Sequence, residues 1–304
     1  MQRTLNTELR FEGTGLHSGA LVRMAIRPAA ADTGIVFVRT DQNNALIAAR
    51  WDRVTPSRLC TQLSNETGVT VSTVEHVMAA LAGCGVHNAL VSVDGPELPI
   101  LDGSAAPYVA AILDAGLAET PEPLKAWVIE QPVIVREGDA WAKLEPHDGF
   151  RMSFRIDFAD TIIGQQQISL DMANGAFVRE LCDSRTFCRF SDVEAMRAQG
   201  LALGGTLSNA LVADGDDYLT PGGPRRADEP VRHKMLDAIG DLALAGAPLV
   251  GKFSAHKGGH AMTNKLLRTA FARKGALALR KLADEQTRKL PGIGISHADM
   301  PAVA

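Results

Sequence analysis

Ser72-Thr-Val-Glu-His-Val-Met-Ala-Ala-Leu-Ala-Gly83 carries apolar side chains three and four residues apart, which is the spacing of an amphipathic α-helix. Val77, Met78 and Leu81 belong to this apolar stripe, and the stripe predicts the face that packs in a core. Because successive residues turn by about 100°, His76 lies on the opposite side among small residues, where another group could approach closely. The position fits a ligand, although a lone histidine on a helix is more often structural.

A second helix is predicted by Asp228-Glu-Pro-Val-Arg-His-Lys-Met-Leu-Asp-Ala-Ile-Gly-Asp241, in which acidic residues and a proline mark the first turn. Its apolar stripe leaves four polar residues together on the opposite side: His233, Lys234, Asp237 and Asp241. His233 and Asp237 are one turn apart, so an imidazole and a carboxylate could bind one metal ion. An ordinary surface pair is the commoner interpretation of this spacing taken alone.

The remaining sequence predicts a mixed α and β fold. Apolar runs bounded by turn residues predict strands at Leu21–Arg27, Gly34–Arg39, Ala89–Val93, Trp127–Val135, Ala142–Glu145 and Arg151–Phe158. Helical patterns cover Ser72–Gly83, Gly103–Ala115, Val193–Ala198, Pro230–Ala245 and His260–Leu282. We therefore expect an α+β protein.

A proline-rich, charged segment divides the chain at Glu119-Thr-Pro-Glu-Pro-Leu-Lys125. The predicted domains are a first module over residues 1–123 and a second over 124–290, followed by a flexible tail over 291–304. On both sides of the boundary the order is strands, a histidine-bearing helix, a strand and a second helix. His76-Val-Met in the first half also resembles His233-Lys-Met in the second, which favours a duplicated module.

Composition excludes several classes of protein. Hydrophobic residues make up 46% and charged residues 22% of the 304 residues, which is typical of a globular protein. A net charge of −4 with scattered basic residues argues against a nucleic-acid partner. The sequence shows neither a signal peptide nor a membrane span, so we expect a cytoplasmic protein without stable membrane insertion. No heptad pattern demands a partner subunit, so a monomer is expected.

Three residues from the two helices complement one another chemically. His76, His233 and Asp237 would supply two nitrogens and one oxygen, the set of three protein ligands that leaves a catalytic zinc open to water. One Zn²⁺ per chain is expected, and Fe²⁺ could replace it because such a site does not select one metal. Zinc lowers the pKa of bound water to about 7, which favours hydrolysis. Two alternatives stay open: an iron oxygenase with the same ligands, and a non-catalytic binding protein in which these residues are apart.

Two further residues could transfer protons. Glu75 precedes a ligand and could act as general base, but Ser72-x-x-Glu75 also matches a capping box, in which its side chain would bond the helix N-terminus. The loop Ser254-Ala-His-Lys-Gly-Gly-His260 places His260 at a helix start, where the helix dipole opposes its protonation unless a carboxylate compensates. His260 could donate a proton to a leaving amine, or the loop could be an ordinary polar turn.

Five motifs together resemble one family, UDP-3-O-acyl-N-acetylglucosamine deacetylase. They are Gly15-Leu-His-Ser-Gly19, Ser72-Thr-Val-Glu-His76, Asp102-Gly-Ser-Ala-Ala-Pro107, Ser184-Arg-Thr-Phe187 and Val231-Arg-His-Lys-Met-Leu-Asp237. The resemblance implies release of acetate from UDP-3-O-(3-hydroxyacyl)-N-acetylglucosamine, a committed step of lipid A synthesis in Gram-negative bacteria. It also implies two similar modules, each a mixed β-sheet packed against two α-helices, with the active site between them.

The resemblance further implies roles for individual residues. His76, His233 and Asp237 would bind the metal, Glu75 would be the general base and His260 the proton donor or electrostatic partner. Other positions match catalytic or substrate contacts: Thr186 at the oxyanion, Phe187 beside the substrate, Phe158 on the uracil, and Lys234 and Lys257 on the diphosphate and sugar. Asp241 is a further catalytic candidate on the evidence of the second helix alone, because it lies on the polar face and could hold charge near the site. A β-α-β insert over about residues 188–212 would form the acyl passage, with contacts from Phe190, Val193, Ala202 and Leu207. The alternative is that the apolar residues of this segment complete the second core: Phe190, Val193, Met196, Leu201, Leu203, Leu207 and Leu211.

Overall fold

The computed structural model describes residues 1–302 and shows a mixed α and β protein. Its strands are β1 (Arg3–Leu5), β2 (Leu9–Thr14), β3 (Leu21–Pro28), β4 (Ile35–Arg39), β5 (Ala45–Ala48), β6 (Val54–Thr55), β7 (Gln62–Ser64), β8 (Thr70–Ser72), β9 (Ala89–Val93), β10 (Leu117–Glu119), β11 (Lys125–Ile129), β12 (Val133–Glu137), β13 (Ala140–Glu145), β14 (Phe150–Phe158), β15 (Gly164–Asp171), β16 (Phe187–Arg189), β17 (Leu211–Asp214), β18 (Asp217–Tyr218), β19 (Leu249–His256) and β20 (Leu277–Lys281). Its helices are α1 (Glu75–Cys84), α2 (Ala106–Ala115), α3 (Ala176–Glu180), α4 (Phe190–Ala198), α5 (Glu229–Ala243), α6 (His260–Ala272) and α7 (Asp284–Thr287). The predicted α+β class is confirmed.

The two main sheets share one pairing scheme. In the first half the order is β2-β3-β9-β4-β5, with β9 parallel to β4 and all other pairs antiparallel. In the second half β12-β13-β19-β14-β15 repeats that order and those directions, and β11 and β20 extend the sheet beside the start of β19. Helix α1 precedes β9 as α5 precedes β19. This repetition supports the predicted duplication, whereas the domain boundaries stay predictions.

Helices α1 and α5 pack directly against each other between the two halves. A Cβ atom on Gly240 of α5 would lie 2.0 Å from the backbone oxygen of Glu75 at the start of α1. Only glycine permits this approach, because a β-carbon would overlap the other helix. On α1 itself, a Cβ on Gly83 would lie 2.0 Å from the ring of Phe177. The predicted face of small residues around His76 is thus the side on which neighbouring elements approach closely.

One hydrophobic core joins the two halves. Leu81 of α1 and Leu236 of α5 are both fully buried in it, as are Phe37 from the first sheet and Phe253 from the second. Burial on this scale fixes the positions of both helices, since each fully buried leucine or phenylalanine stabilises the fold by about 1.5–3 kcal/mol. The polar face of α5 is therefore held at a defined distance from α1.

The structure corrects the predicted bounds of one strand and one helix. The predicted strand Trp127–Val135 is two strands, β11 and β12, because the chain turns between them at Pro132, which lacks a backbone N–H for a sheet. The predicted helix His260–Leu282 ends at Ala272, and Gly275 adopts a φ of 78° before the chain continues as β20. The apolar spacing of the residues in β20 is compatible with a helix, but the segment forms a strand because it pairs with β11.

Strand β19 was implied by the repeated order of elements, but the sequence analysis gave it no residue range, and the strand shortens the loop before His260. Ser254, Ala255 and His256 belong to β19, so the loop comprises 257–259 alone. Gly251 and Lys252 interrupt the apolar run that would have marked a strand. The strand forms because β11, β13 and β14 all pair with it, which local sequence does not reveal.

The C-terminal segment packs against both halves as far as the structure describes it. A Cβ on Gly292 would lie 2.3 Å from the backbone of Cys84, and Asp299 pairs with Arg179 at 2.6 Å. Val303 and Ala304, the end of the predicted tail, lie outside the described residues. Flexibility of this segment stays a prediction. Within residues 1–302, no helix has the length and apolar character needed to cross a lipid bilayer.

We expect Gly240→Ala to destabilise the protein. At an unobstructed helical position alanine is favoured over glycine by about 1 kcal/mol, so stability would rise. Here the added methyl meets the Glu75 carbonyl, and overpacking of this kind costs roughly 1–3 kcal/mol. Urea unfolding measures the free energy of unfolding of the variant and of the parent. A variant that is as stable as the parent or more stable would contradict the close approach of α1 and α5.

Candidate metal centre

The structure brings His76, His233 and Asp237 together from helices in different halves. One ligand atom from each of the three lies within 4.8 Å of the others. Asp237 Oδ1 is 3.5 Å from His76 Nε2 and 3.3 Å from His233 Nε2, and the two imidazole rings are 5.0 Å apart at an angle of 88°. All three side chains are buried. The arrangement gathers two nitrogens and an oxygen around one point.

The hydrogen bonds of these residues leave the inner atoms available to a cation. Asp237 Oδ2 accepts from Lys234 Nζ at 2.7 Å, whereas the buried Oδ1 has no hydrogen-bond partner among residues 1–302. His233 Nδ1 lies 3.0 Å from the Ser184 carbonyl oxygen. Because a carbonyl only accepts, Nδ1 carries the hydrogen and Nε2 keeps its lone pair. An unpaired carboxylate oxygen beside a free imidazole nitrogen fits a divalent cation.

The protonation states also suit metal binding. Burial lowers the pKa of His233 to about 3, so the imidazole is neutral near pH 7. Burial opposes ionisation of Asp237, but His233 and Lys234 outweigh it and hold the pKa of the carboxyl well below its usual range. Metal ligands must be a neutral imidazole and an ionised carboxylate, and these are the forms the site favours.

Glu75 occupies the first turn of α1, directly before the candidate ligand His76. Its Oε2 accepts a hydrogen bond from the Thr61 N–H at 3.0 Å. Ser72 belongs to β8, and its hydroxyl donates to the carbonyl of Pro96. The capping-box alternative is therefore wrong, because the carboxylate of Glu75 bonds a loop instead of the helix N-terminus. Burial raises the pKa of Glu75, which makes it a stronger base than an exposed glutamate.

His260 begins α6 and points toward the same site. Its Nδ1 lies 2.9 Å from Asp241 Oδ2, and its Nε2 lies 3.9 Å from both Glu75 Oε1 and Asp237 Oδ2. Burial would lower the pKa of His260, but Asp241 and Glu75 outweigh it and raise the pKa to about 9. Asp241 is thus the compensating carboxylate that protonation at a helix N-terminus requires.

Aromatic rings extend from the metal centre along one side. The Phe187 ring lies 6.2 Å from the ring of His233, and the Phe158 ring lies 5.5 Å from that of Phe187. Thr186 is anchored through its backbone N–H, which donates to the Gly103 carbonyl at 2.8 Å. The structure therefore groups Thr186, Phe187 and Phe158 beside the site, while their roles toward a substrate stay predictions.

Lys257 lies further out than the other predicted contacts. It is exposed and forms ion pairs with Asp139 at 2.8 Å and Asp157 at 3.2 Å. Asp157 is adjacent to Phe158 on β14, so the ammonium group lies at the outer end of the aromatic row. Its role in substrate binding stays a prediction.

The predicted insert is a β-α-β unit. Strand β16 runs parallel to β17, with Phe187 opposite Leu211, and α4 connects them. Phe190, Leu203 and Leu207 are 51%, 51% and 43% exposed. The alternative that these residues complete the second core is wrong for those three, although Leu211 is fully buried. The exposed apolar groups leave a surface that a hydrophobic ligand could cover.

Two residues of the site escaped the sequence analysis. Thr61 contacts Glu75 through its N–H and Asp241 through its hydroxyl. Glu97 is buried, and its Oε1 accepts from the backbone N–H of His17 at 2.8 Å, which anchors the Gly15–Gly19 turn. Thr61 and Asp241 are 180 positions apart, so no spacing pattern connects them.

Comparison with known proteins gives matches over most of the chain. A family model described as UDP-3-O-acyl N-acetylglycosamine deacetylase matches residues 2–272. A UDP-3-O-acyl-N-acetylglucosamine deacetylase of Phenylobacterium zucineum (strain HLK1) is 50% identical over 286 residues, which cover 93% of this chain and 98% of the relative. The protein of the same name from Shewanella sp. (strain ANA-3) is 47% identical over 281 residues, covering 91% and 92%. The matched range includes every residue of the candidate metal centre.

We expect Asp237→Asn to weaken metal binding, because asparagine keeps the shape of the ligand and loses its charge. Even residues that only orient ligands contribute about 10–100-fold to metal affinity, so Kd for Zn²⁺ should rise by at least that factor. Competition with a chromophoric chelator measures Kd. Asp192→Asn on the exposed side of α4 is the matched control and should bind like the parent. Equal affinity in both variants would refute the site.

Proposed function

The chain belongs to the UDP-3-O-acyl-N-acetylglucosamine deacetylase family, and on that premise we propose that it hydrolyses the N-acetyl group of UDP-3-O-(3-hydroxyacyl)-N-acetylglucosamine. Water adds to the amide carbonyl, the C–N bond breaks, and the products are acetate and the free amine. The reaction would be the committed step of lipid A biosynthesis. The observation that carries the proposal is the buried trio of His76, His233 and Asp237, in which Asp237 Oδ1 has no hydrogen-bond partner in the described part of the chain.

His76, His233 and Asp237 would hold one Zn²⁺, and Fe²⁺ could take its place because two imidazoles and a carboxylate accept either ion. When bound, the cation supplies a Lewis acid that polarises the amide carbonyl and makes water more acidic. Lys234 acts on the ligand Asp237: its ammonium group neutralises part of the carboxylate charge and fixes Oδ2. Oδ1 is thereby directed toward the two imidazoles.

Glu75 and His260 would handle the protons. Glu75 Oε1 takes a proton from the attacking water, since its raised pKa makes it an effective base. His260, with a pKa near 9, is protonated at neutral pH and can donate from Nε2 to the amine nitrogen as the C–N bond breaks. Asp241 holds the imidazole ring through Nδ1, so Nε2 faces Glu75 Oε1 across 3.9 Å. The scissile amide would lie beside this gap.

The substrate would extend from the metal centre in two directions. Thr186 would donate a hydrogen bond to the oxygen that gains negative charge in the transition state. Phe187 would contact the sugar, Phe158 would stack on the uracil, and Lys234 and Lys257 would contact the diphosphate and sugar. The acyl chain would lie along the β-α-β insert against the predicted contacts Phe190, Val193, Ala202 and Leu207.

The two alternative functions, a non-catalytic binding protein and an iron oxygenase, each predict different properties of the site. A binding protein would need no gathered ligands, yet His76, His233 and Asp237 share one point in a buried setting. An iron oxygenase would use the same ligands but would need oxygen for turnover. The proton-transferring pair Glu75 and His260 beside the ligands favours hydrolysis.

Metal-loaded protein is expected to release acetate from UDP-3-O-(3-hydroxytetradecanoyl)-N-acetylglucosamine without oxygen, to lose this activity on chelation and to regain it with Zn²⁺. Acetate release over that cycle is the measurement. Glu75→Gln is the matched variant: it keeps all three ligands, so it should bind Zn²⁺ normally and lower kcat by about 10²–10⁴-fold. Folded, zinc-loaded protein that releases no acetate would favour the binding-protein alternative.

Leu207→Asp is expected to act on long acyl chains selectively. A carboxylate on the proposed passage must lose water when the chain binds, which we expect to lower kcat/KM for a 14-carbon acyl substrate by about tenfold or more. The value for a four-carbon acyl substrate should change little. Leu46→Asp on β5 is the control, because Leu46 is also an exposed leucine and lies outside the insert. If both substrates respond alike to Leu207→Asp, the acyl chain does not pass this residue.

A further inference from the structure

Thr61 lies in the loop between β6 and β7 and is buried. Three of its polar groups are engaged around the start of α1 and the middle of α5. Its N–H donates to Glu75 Oε2 at 3.0 Å, its carbonyl accepts from the Val74 N–H at 3.4 Å, and its hydroxyl donates to Asp241 Oδ1 at 2.5 Å. Thr61 therefore bonds a carboxylate from each half of the chain.

These contacts form a continuous series of hydrogen bonds through four residues. Glu75 is bonded to Thr61, Thr61 to Asp241, and Asp241 Oδ2 to His260 Nδ1 at 2.9 Å. The series ends at Glu75 Oε1 and His260 Nε2, which face each other at 3.9 Å. That separation is too long for a hydrogen bond and leaves both atoms available to a third group.

The backbone around Thr61 is held in an unfavourable conformation. Leu59 has a φ of 66° although its side chain is 56% exposed, and Thr73, just before α1, has a φ of 57°. A residue other than glycine is strained at a φ in this left-handed region, and it persists there where surrounding contacts over-determine the backbone. Outliers of this kind occur at functional sites, and here they bracket the contact between Thr61 and Glu75.

We propose that Thr61 is a positioning residue that sets the distance and orientation between the proton acceptor Glu75 and the proton donor His260. The inference rests on the proposed function. Thr61 acts through its two carboxylate partners: its N–H holds the far oxygen of Glu75, and its hydroxyl holds the far oxygen of Asp241, which in turn holds His260. Without the Thr61 hydroxyl, Asp241 Oδ1 would be buried without a hydrogen-bond donor. The Asp241 carboxylate would then rotate or bind water, and it would no longer hold His260 in the same position.

Thr61→Val and Thr61→Ser separate the hydroxyl from the shape of the side chain. Valine keeps the volume and the backbone N–H but cannot donate to Asp241, so kcat should fall by about 10–100-fold through misplacement of His260. KM and the zinc content should stay at the parent values, because Thr61 binds neither the metal ligands nor the predicted substrate contacts. Serine restores the donor and should restore kcat.

Thr4→Val is the matched control, because Thr4 is also buried and its hydroxyl donates to the Asn88 carbonyl at 2.8 Å in another part of the fold. It should lower stability without changing kcat. Should Thr61→Val not fold, Thr61→Ala removes the same hydroxyl with less volume. Parent kcat in either hydroxyl-free variant, or an equal loss in Thr61→Ser, would overturn the positioning role. Parent protein that releases no acetate would instead refute the proposed function and this inference with it.

Discussion

The close approach of α1 and α5 at Gly240 is the constraint on which the rest of the structure depends. A β-carbon at this position would lie 2.0 Å from the Glu75 carbonyl, so the distance between the helices is set by backbone against backbone. His76 lies one residue beyond that contact, and Asp237 lies one turn before it. Their ligand atoms are consequently 3.5 Å apart without any long side chain reaching across. Short, stiff connections keep such a site organised before a ligand arrives.

Close approach also concentrates charge, and the fold must compensate for it. Glu75, Asp237 and Asp241 are all buried near one another, a combination that would favour protonation if each carboxylate were alone. Lys234 pairs with Asp237 and His260 pairs with Asp241, so two of the three carry a cationic partner. Glu75 keeps a raised pKa. The same burial that threatens stability thus gives the three carboxylates different environments, which suit the proposed roles of metal ligand, positioning group and base.

Much of this centre could be predicted from the sequence because its main residues lie on two periodic helices. The apolar stripes of α1 and α5 separated each helix into an apolar face and a face that carries the polar site residues, and His233 and Asp237 are one turn apart on a single face. Thr61 could not be predicted in the same way, because its partner Asp241 is remote in sequence and the loop that carries Thr61 has no hydrophobic periodicity. The bounds of strand β19 could not be predicted for a related reason: the strand is stabilised by pairing with three neighbouring strands, which its own residues do not reveal.

The two central helices show how a repeated topology can yield an asymmetric site. Each carries a histidine, a buried methionine two residues later and a glycine seven residues later. They differ four residues after the histidine, where α1 has Ala80 and α5 has Asp237. By this repeat, a carboxylate at position 80 would add one more negative charge to a centre that already holds three buried carboxylates, and it would supply a fourth candidate ligand. With alanine there, the candidate ligands number three, and a set of three protein ligands leaves a coordination position open for water or substrate.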